Sequence, residues 1–355
     1  MHSSRPPSSA HRWVHCPASL DKRHQQPREE SEEAAEGTAA HELLRECLSS
    51  GLDPEHYYFE DAEFYGHTVD ADMVEHITPL VHRVRHYVAK GYELLCEYET
   101  QMPTIHEDAW GICDIRLYHP GKKHLIVIDL KYGAGIEVTA EDNEQGACYV
   151  IGNTRELEAD GYEVHKRTFV IYQPRHWAKE DPWESWQILP ATLEYYEAKL
   201  RKAAKAKQDK FNPGSWCKWC PRELTCPRLE AEFNEMLEEG PDGYTRLTPK
   251  ELARRLDVAA ALRSHLKALE EHALERLQLE ESIPGYELKD TTSKRFWINE
   301  ADARKELKKY LGAGMYEERV LKSPRQIELA GVSKAIVKKH TATKVSGQSL
   351  VKVKS

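Results

Sequence analysis

At 355 residues the chain is long enough for two domains with a sizeable core, and its 31% charged content is typical of a protein dissolved in water. Its apolar runs stay well short of the about 18 residues that a membrane span requires, and residues 1–10 lack the apolar core of a signal peptide, so we expect a cytoplasmic protein with no membrane partner. The net charge of -9 excludes a surface that binds nucleic acid everywhere, although residues 331–355 carry six lysines and no acid.

The first predicted helix begins at Gly37, with Thr38 as its N-cap and an apolar stripe after it, so His41 falls in the first turn. A longer helix is predicted over 72–95 and a strand over 96–102. In that strand Glu97 and Glu99 are either a pair of metal ligands or ordinary strand charges, and we favour the second interpretation.

The central stretch predicts a β-hairpin. Residues 110–119 and 124–132 are short runs rich in Ile, Val and Leu, and turn residues at Pro120 and Gly121 join them. The uninterrupted apolar run over 125–128 is typical of a strand that is buried on both faces.

Two carboxylates and an amine come together on this hairpin. Alternate side chains of a strand share a face, so Asp129 and Lys131 project the same way at the end of the buried strand. Asp114, on the preceding strand, is near enough to bring a second carboxylate beside Asp129. Carboxylates that close repel each other unless a cation neutralises them, and hard oxygen ligands suit Mg²⁺ or Mn²⁺. The hairpin therefore predicts a metal site.

The segment after the hairpin predicts a helix over 141–152. Gln145 and Tyr149 are four residues apart in it and share one face. A buried strand over 169–173 and an amphipathic helix over 193–208 are predicted next.

Cysteines mark a second informative segment. Cys217, Cys220 and Cys226 lie within ten residues, and thiolates that converge on a tight turn hold a soft cation. A four-thiolate site needs one more ligand, and Cys16, which also has a neighbouring proline and tryptophan, is the best candidate. Zinc and an iron-sulfur cluster both fit four thiolates, and the Cys-Pro steps at Cys16 and Cys226 lean toward iron-sulfur.

The composition changes beyond Pro227. Residues 248–251, Thr-Pro-Lys-Glu, combine an N-cap, a first-position proline and a capping-box acid, and they open a predicted helix of about 30 residues. A hairpin is predicted over 286–298, short helices follow, and the chain ends in a basic tail. We therefore divide the chain into residues 1–230 and a mainly helical C-terminal region, 231–355.

Taken in chain order, these motifs resemble those of a known nuclease superfamily. The RecB-type branch of the PD-(D/E)XK nucleases has a similar series, here His41, Asp114, Asp129-Leu130-Lys131 and Gln145-x3-Tyr149. An upstream cysteine with a later Cys-x2-Cys-x5-Cys resembles the iron-sulfur members of that branch. The segments at 8–12, 16–19 and 129–135 are also similar to an uncharacterised phage-encoded family assigned to the superfamily. The resemblance covers roughly residues 9–230, and five ordered motifs with four cysteines make it specific.

The resemblance implies an α/β fold, with a restriction endonuclease-like core in which helices flank a central mixed sheet. It implies that a divalent metal binds His41, Asp114, Asp129 and the backbone carbonyl of Leu130. Lys131 would orient and activate the attacking water. The last two residues of the series, Gln145 and Tyr149, would position the substrate strand or support Lys131.

The resemblance also implies a 4Fe-4S cluster on Cys16, Cys217, Cys220 and Cys226, with zinc as the alternative occupant. Such a cluster would be structural and would clip the N-terminal segment to the end of the nuclease core. One position departs from the pattern: Gly146 replaces the usual apolar residue, which predicts a later start or a bend in that helix.

We therefore expect a metal-dependent DNA nuclease, an exonuclease used in phage recombination or DNA processing. DNA is the expected substrate, and a phage single-strand annealing protein is a candidate partner. The alternatives are a restriction-type endonuclease and a non-catalytic DNA-binding scaffold with a degraded nuclease fold. The complete set of His41, Asp114, Asp129 and Lys131 speaks against the scaffold.

Overall fold

The structure is a computed structural model that describes residues 3–21, 32–133, 137–176, 181–292, 296–311, 316–317, 320–342 and 345–352. The chain divides into two compact units, residues 1–265 and 266–355. The sequence division at residue 230 falls earlier, because Leu262 still packs against Cys217 and Leu229 in the first unit.

The first unit begins with short helices and then alternates helices with a sheet. Its elements are α1 (Ala10–His15), α2 (Glu32–Ser50), α3 (Pro54–Phe59), β1 (Glu63–Phe64), β2 (His67–Thr68), α4 (Ala71–Ala89), β3 (Glu93–Gln101), β4 (Trp110–His119), β5 (His124–Leu130), α5 (Glu144–Ala159), β6 (Lys166–Tyr172), β7 (Trp183–Gln187), α6 (Pro190–Ala204), α7 (Pro227–Tyr244) and α8 (Pro249–Gln278), which runs past the unit boundary.

A five-stranded mixed sheet lies at the centre of this unit, in the order β3-β4-β5-β6-β7. β5 and β6 are parallel, and the other neighbouring pairs are antiparallel. The predicted hairpin is confirmed, since β4 and β5 pair in register from His119 opposite His124 to Ile115 opposite Ile128. Helices cover both faces of the sheet, so the expected central mixed sheet flanked by helices is confirmed.

The central strand β5 is buried on both faces, as its apolar run predicts. Leu125 and Val127 belong to a core with residues of α5 and α6, whereas Ile126 and Ile128 belong to a second core with residues of α2 and α4. Burying an aliphatic side chain of this size contributes roughly 2 kcal/mol. The two cores therefore fix the strand that carries Asp129.

Helix α5 begins three residues later than predicted. Asn143 is its N-cap and accepts a hydrogen bond from the Gly146 amide at 2.9 Å. Gly146 has a packing role, because a Cβ atom there would lie 2.3 Å from the ring of Phe169 on β6. The glycine therefore lets the first turn of α5 lie directly against the sheet.

The predicted start of α2 is wrong. The helix begins at Glu32, and Thr38 lies inside it, where its hydroxyl donates to the carbonyl of Ala34 at 3.0 Å. A threonine hydroxyl can satisfy an internal carbonyl as readily as it caps a helix. His41 therefore lies in the middle of α2.

The second unit mixes short helices and strands after the end of α8. Its elements are β8 (Tyr286–Thr292), β9 (Phe296–Trp297), α9 (Glu300–Leu311), β10 (Tyr316–Glu317), β11 (Val320–Leu321), α10 (Pro324–Leu329), α11 (Lys334–Lys339), β12 (Thr341–Ala342) and β13 (Val345–Lys352). A small core contains Ala303, Leu307, Ile327, Val332 and Val337.

The hairpin predicted over 286–298 is wrong, because its two strands pair with C-terminal partners. β8 pairs with β13 and β9 pairs with β12, in both cases antiparallel. The basic segment after Gly331 is therefore folded over its described residues and is not a free tail. No helix in the ranges given above is both long and apolar enough to cross a bilayer.

Candidate functional site

Asp114 fixes the end of the buried strand from the neighbouring strand. Its Oδ2 accepts a hydrogen bond from the Leu130 amide at 2.7 Å. Because Ile115 pairs with Ile128, the register places Asp114 beside Asp129. The expectation that the hairpin brings these two carboxylates together is met.

Asp129, Lys131 and Gln145 form a closed triangle of contacts. Lys131 Nζ lies 2.6 Å from Asp129 Oδ2 and donates to Gln145 Oε1 at 3.0 Å. Gln145 Nε2 donates to Asp129 Oδ1 at 2.7 Å. Asp129 is only 3% exposed, so its charge is compensated inside the fold rather than by solvent. The amide of Gln145 thus fixes both charged groups.

His41 reaches the same place from α2. Its Nδ1 lies 3.5 Å from Asp114 Oδ2 and 3.6 Å from Glu97 Oε1. One ligand atom from each of these three residues lies within 4.8 Å of the others. We call His41, Glu97, Asp114, Asp129 and Lys131 the carboxylate site.

Glu97 reaches His41 through an irregularity in the sheet. It lies in β3 with φ of +48°, a left-handed conformation that is uncommon for a residue with a side chain. Its neighbours Cys96 and Tyr98 keep their register with Ile115 and Cys113, so Glu97 stands opposite Asp114. Backbone strain of this kind costs on the order of 1–3 kcal/mol and clusters at functional sites.

The carboxylate site shifts the acidities of its own members. Burial opposes protonation of His41, but the carboxylates of Asp114 and Glu97 outweigh it and raise the pKa of His41 to about 9. Burial raises the pKa of Asp114 to about 7, against the opposing charge of His41. Burial also acts to lower the pKa of Lys131, but Asp129 outweighs it and keeps that pKa above its ordinary value. The site therefore concentrates negative charge that His41 and Lys131 only partly balance.

Tyr149 and Leu130 contribute less directly than the other predicted residues. Tyr149 is buried on α5 near Gly111, and burial, with the charge of Asp129, raises the pKa of its hydroxyl well above the usual range. Among the contacts of the described residues, Tyr149 makes no hydrogen bond to Lys131. The Leu130 amide is oriented by Asp114, whereas a ligand role for its carbonyl stays a prediction.

The four cysteines singled out in the sequence line one cavity, which we call the cysteine cavity. Cys16 lies directly after α1, and Cys217, Cys220 and Cys226 lie on the segment before α7. The backbone amide of Asn212 donates a hydrogen bond to Cys16 Sγ at 3.5 Å. The structure therefore brings the N-terminal cysteine to the later three, as the sequence predicts.

Burial favours the neutral form of three thiols in the cysteine cavity. Burial raises the pKa of Cys217 to about 12 and raises the pKa values of Cys16 and Cys220 above their usual range. Among the described residues, the sulfur atoms form no group of three that lie within 4.8 Å of one another.

Glu97 is the residue whose place in the site the sequence analysis missed, since it favoured an ordinary strand charge there. A regular strand would place Glu97 and Glu99 on the same face, so nothing in the pattern separates them. The structure separates them, since Glu97 faces His41 while Glu99 is exposed. The signal that distinguishes Glu97 from Glu99 is its position opposite Asp114 in the paired strands, and the periodicity of one sequence does not reveal which residues pair.

Comparisons with solved structures and with protein families both return matches to this chain. The chain titled "Crystal structure of SSO0001" matches 62% of this chain over 95% of its own length, with 12% sequence identity and a TM-score of 0.23. Similarity at that level supports no conclusion about the fold or the site. The family described as "Protein of unknown function (DUF2800)" matches residues 2–353. Since this match spans nearly the whole sequence, the chain belongs to that family.

Proposed function

We propose that the protein is a divalent-metal-dependent DNA nuclease, most simply an exonuclease that acts in phage recombination or DNA processing. The observation that carries this proposal is the carboxylate site. One nitrogen and two oxygen ligand atoms, from His41, Glu97 and Asp114, lie within 4.8 Å of one another. The Asp129 and Lys131 pair lies next to Asp114 on the same hairpin. The resemblance to RecB-type PD-(D/E)XK nucleases supports the same assignment.

The side chains of the site fit a hard divalent cation. His41, Asp114 and Asp129 would hold it, and Glu97 is added to the ligands expected from the sequence. Oxygen-rich donor sets with one imidazole suit Mn²⁺ or Mg²⁺. When bound, such a cation lowers the pKa of a water molecule and screens the negative charge of a phosphodiester.

Lys131 acts as a hydrogen-bond donor. Since its pKa lies above the ordinary value, it is an ammonium group at neutral pH and does not serve as a general base. Its contacts with Asp129 and Gln145 hold the ammonium at the edge of the site. There it would orient the attacking water and stabilise charge that develops on the phosphate oxygens.

We propose an iron-sulfur cluster as the occupant of the cysteine cavity, with a single zinc ion as the alternative. Four cysteine thiolates can hold such a cluster, and hydrogen bonds to the ligand sulfurs, like that from the Asn212 backbone amide to Cys16, are one of the contacts that tune it. The cluster would join α1 to the segment before α7.

Cleavage of end-labelled linear DNA and of circular DNA in the presence of Mn²⁺ tests the proposed activity. We expect the linear substrate to be degraded from its ends and the circle to stay intact. Asp129→Asn and Lys131→Ala should each lower the cleavage rate by about 10³-fold or more, because each removes a group that acts on the water or the phosphate. Lys122→Ala, an exposed change on the turn of the same hairpin, is the matched control.

Each other outcome of this assay has a definite meaning. Cleavage of the circle would assign a restriction-type endonuclease instead of an exonuclease. DNA binding without cleavage by the metal-loaded wild-type protein would assign the non-catalytic scaffold. Equal cleavage by wild-type and Asp129→Asn protein would show that the carboxylate site is not the active site.

A further inference from the structure

We propose that His11, His15 and Glu144 form a second metal site, which binds Zn²⁺ and is separate from the carboxylate site and the cysteine cavity. One ligand atom from each of the three residues lies within 4.8 Å of the others. Two imidazole nitrogens and one carboxylate oxygen are a donor set that zinc commonly takes, with water as the fourth ligand. This proposal goes beyond the proposed nuclease activity and does not rest on it.

Both imidazole nitrogens lie close enough to Glu144 to share an ion with it. His11 Nδ1 lies 3.3 Å from Glu144 Oε2, and His15 Nε2 lies 3.3 Å from Glu144 Oε1. A tetrahedral zinc with bonds of about 2.0–2.1 Å separates its ligand atoms by about 3.3–3.4 Å. Each nitrogen therefore already lies at that distance from one oxygen of the carboxylate, and a cation would replace the two direct contacts.

The two histidines are already oriented for binding. They are four residues apart on α1 and so share one face of that helix. The ring of Trp216 stacks on His15 with centroids 4.4 Å apart and planes at 12°, and Asn212 Nδ2 donates to the His15 carbonyl at 3.1 Å. The His11 side chain is 61% exposed, so an ion and its water can enter from solvent.

Glu144 supplies a carboxylate at the first position of α5. It is 8% exposed, and both of its oxygens are held: Oε2 by His11, and Oε1 by His15 and Lys199. The carboxylate is therefore fixed in position where the two imidazoles meet.

Lys199 is the group that a zinc ion must displace. Its Nζ donates to Glu144 Oε1 at 3.1 Å and balances the carboxylate when no metal is present. A lysine ammonium on a flexible stem can withdraw to solvent. Removing this positive charge should therefore tighten binding of a divalent ion, which a purely structural ion-pair network does not predict.

Zinc binding to the anaerobically purified full-length protein tests the site. A chromophoric chelator competes for the metal and reports the number of tight zinc equivalents and their affinity. We expect His11→Ala and Glu144→Gln each to bind one equivalent fewer than the wild type. Lys199→Met should keep the equivalent and bind it about tenfold or more tightly, since a nearby positive charge is removed. His86→Ala, an exposed helical histidine outside the site, should match the wild type.

Zinc at the cysteine cavity or the carboxylate site does not confuse this comparison, because it contributes equally to all of these variants. Substituting Co²⁺ gives a second readout, since the proposed site should add absorption without a thiolate-to-cobalt band. Equal zinc equivalents in wild-type and His11→Ala protein would overturn the proposal. An unchanged affinity in Lys199→Met would overturn it as well, and would leave the cluster as an ion-pair network.

Discussion

The carboxylate site and the cysteine cavity are both rich in metal ligands, but they differ in how charge is balanced without a metal. In the carboxylate site, Lys131 pairs with Asp129 and His41 lies beside Asp114. In the cysteine cavity, burial raises the pKa values of Cys16 and Cys217, so those thiols stay neutral. The first site can therefore keep its geometry before a metal binds. The second would have to lose protons to bind the proposed cluster, and metal binding there would be coupled to folding.

Loss of a cavity cysteine should have the largest effect on stability. Cys16 and Cys217 enclose about 200 residues, and closing a loop of that length is worth roughly 5 kcal/mol in the chain-entropy model. We expect anaerobically purified wild-type protein to be brown with about four irons per chain, and Cys16→Ala to lose that iron and to unfold at lower temperature. Iron analysis and thermal unfolding measure both effects.

Cys47→Ala is the matched control, since Cys47 is equally buried but lies in the sheet core. It should keep its iron. A colourless wild-type protein with one tightly bound zinc ion would show that the four cysteines form a metal site, but that the site holds zinc and not an iron-sulfur cluster. If Cys16→Ala protein stayed stable and still contained iron, the contrast between the two sites would be wrong, because the stability of the protein would not depend on Cys16 holding the proposed cluster.

Substitution of Glu97 should have a smaller effect, confined to metal affinity. Glu97→Gln keeps the shape of the side chain and removes one negative charge facing His41, so we expect Mn²⁺ to bind about tenfold more weakly or worse. Glu99→Gln is the matched control on the same strand and should not change binding. Direct Mn²⁺ titration measures the effect without a cleavage assay, and equal affinities in the two variants would remove Glu97 from the site.

The smallest expected effect is a pH dependence that belongs to the carboxylate site alone. The pKa of His41 is raised to about 9 in the folded protein, so its stabilisation is fully present below about pH 6.5 and is lost as the pH rises through 9. In metal-free protein we expect a loss on the order of 1 kcal/mol between pH 6.5 and 8, measured by urea unfolding.

Two features make the loss of stability between pH 6.5 and 8 specific to the carboxylate site. The thiols of the cysteine cavity do not titrate in this pH window, since the pKa of Cys217 is about 12 in the folded state and unfolded thiols ionise only near pH 8.5. Burial lowers the pKa of His124 to about 4, so its contribution is lost only as the pH falls below 6.5. Asp114 titrates in the same window, because burial raises its pKa to about 7, and its ionisation lowers stability in the same direction. The double variant His41→Gln with Asp114→Asn should therefore flatten the dependence, and an unchanged slope in that variant would contradict the assigned electrostatics.

Local patterns in the sequence were sufficient for much of the site. The apolar run of β5 and strand alternation predicted that Asp129 and Lys131 share a face. The need for a fourth thiolate, with the proline and tryptophan near Cys16, predicted that Cys16 joins the later trio. The start of α2 could not be read from Thr38, because a hydroxyl inside a helix and one at its N-cap have the same sequence signal.

What the sequence could not provide depends on contacts between distant segments. The strand β8 pairs with β13, more than fifty residues later, and no local pattern chooses that partner over its neighbour β9. The φ of +48° at Glu97 is likewise not signalled by its sequence neighbours, since a glutamate in a strand is expected to have a negative φ.

The close contact between Gly146 and Phe169 limits the size of the side chain that residue 146 can carry, and the geometry of the carboxylate site depends on that limit. A Cβ atom at residue 146 would lie 2.3 Å from the ring of Phe169, so either α5 or that ring would have to shift. Gln145 is the preceding residue, so a shift of α5 would move its amide away from Asp129 and Lys131 together. Misplacement by about 1 Å can cost a hundredfold in rate. The alignment of Asp129 and Lys131 therefore depends on Gly146, which takes no part in the chemistry but lets the backbone of α5 pack closely against the sheet.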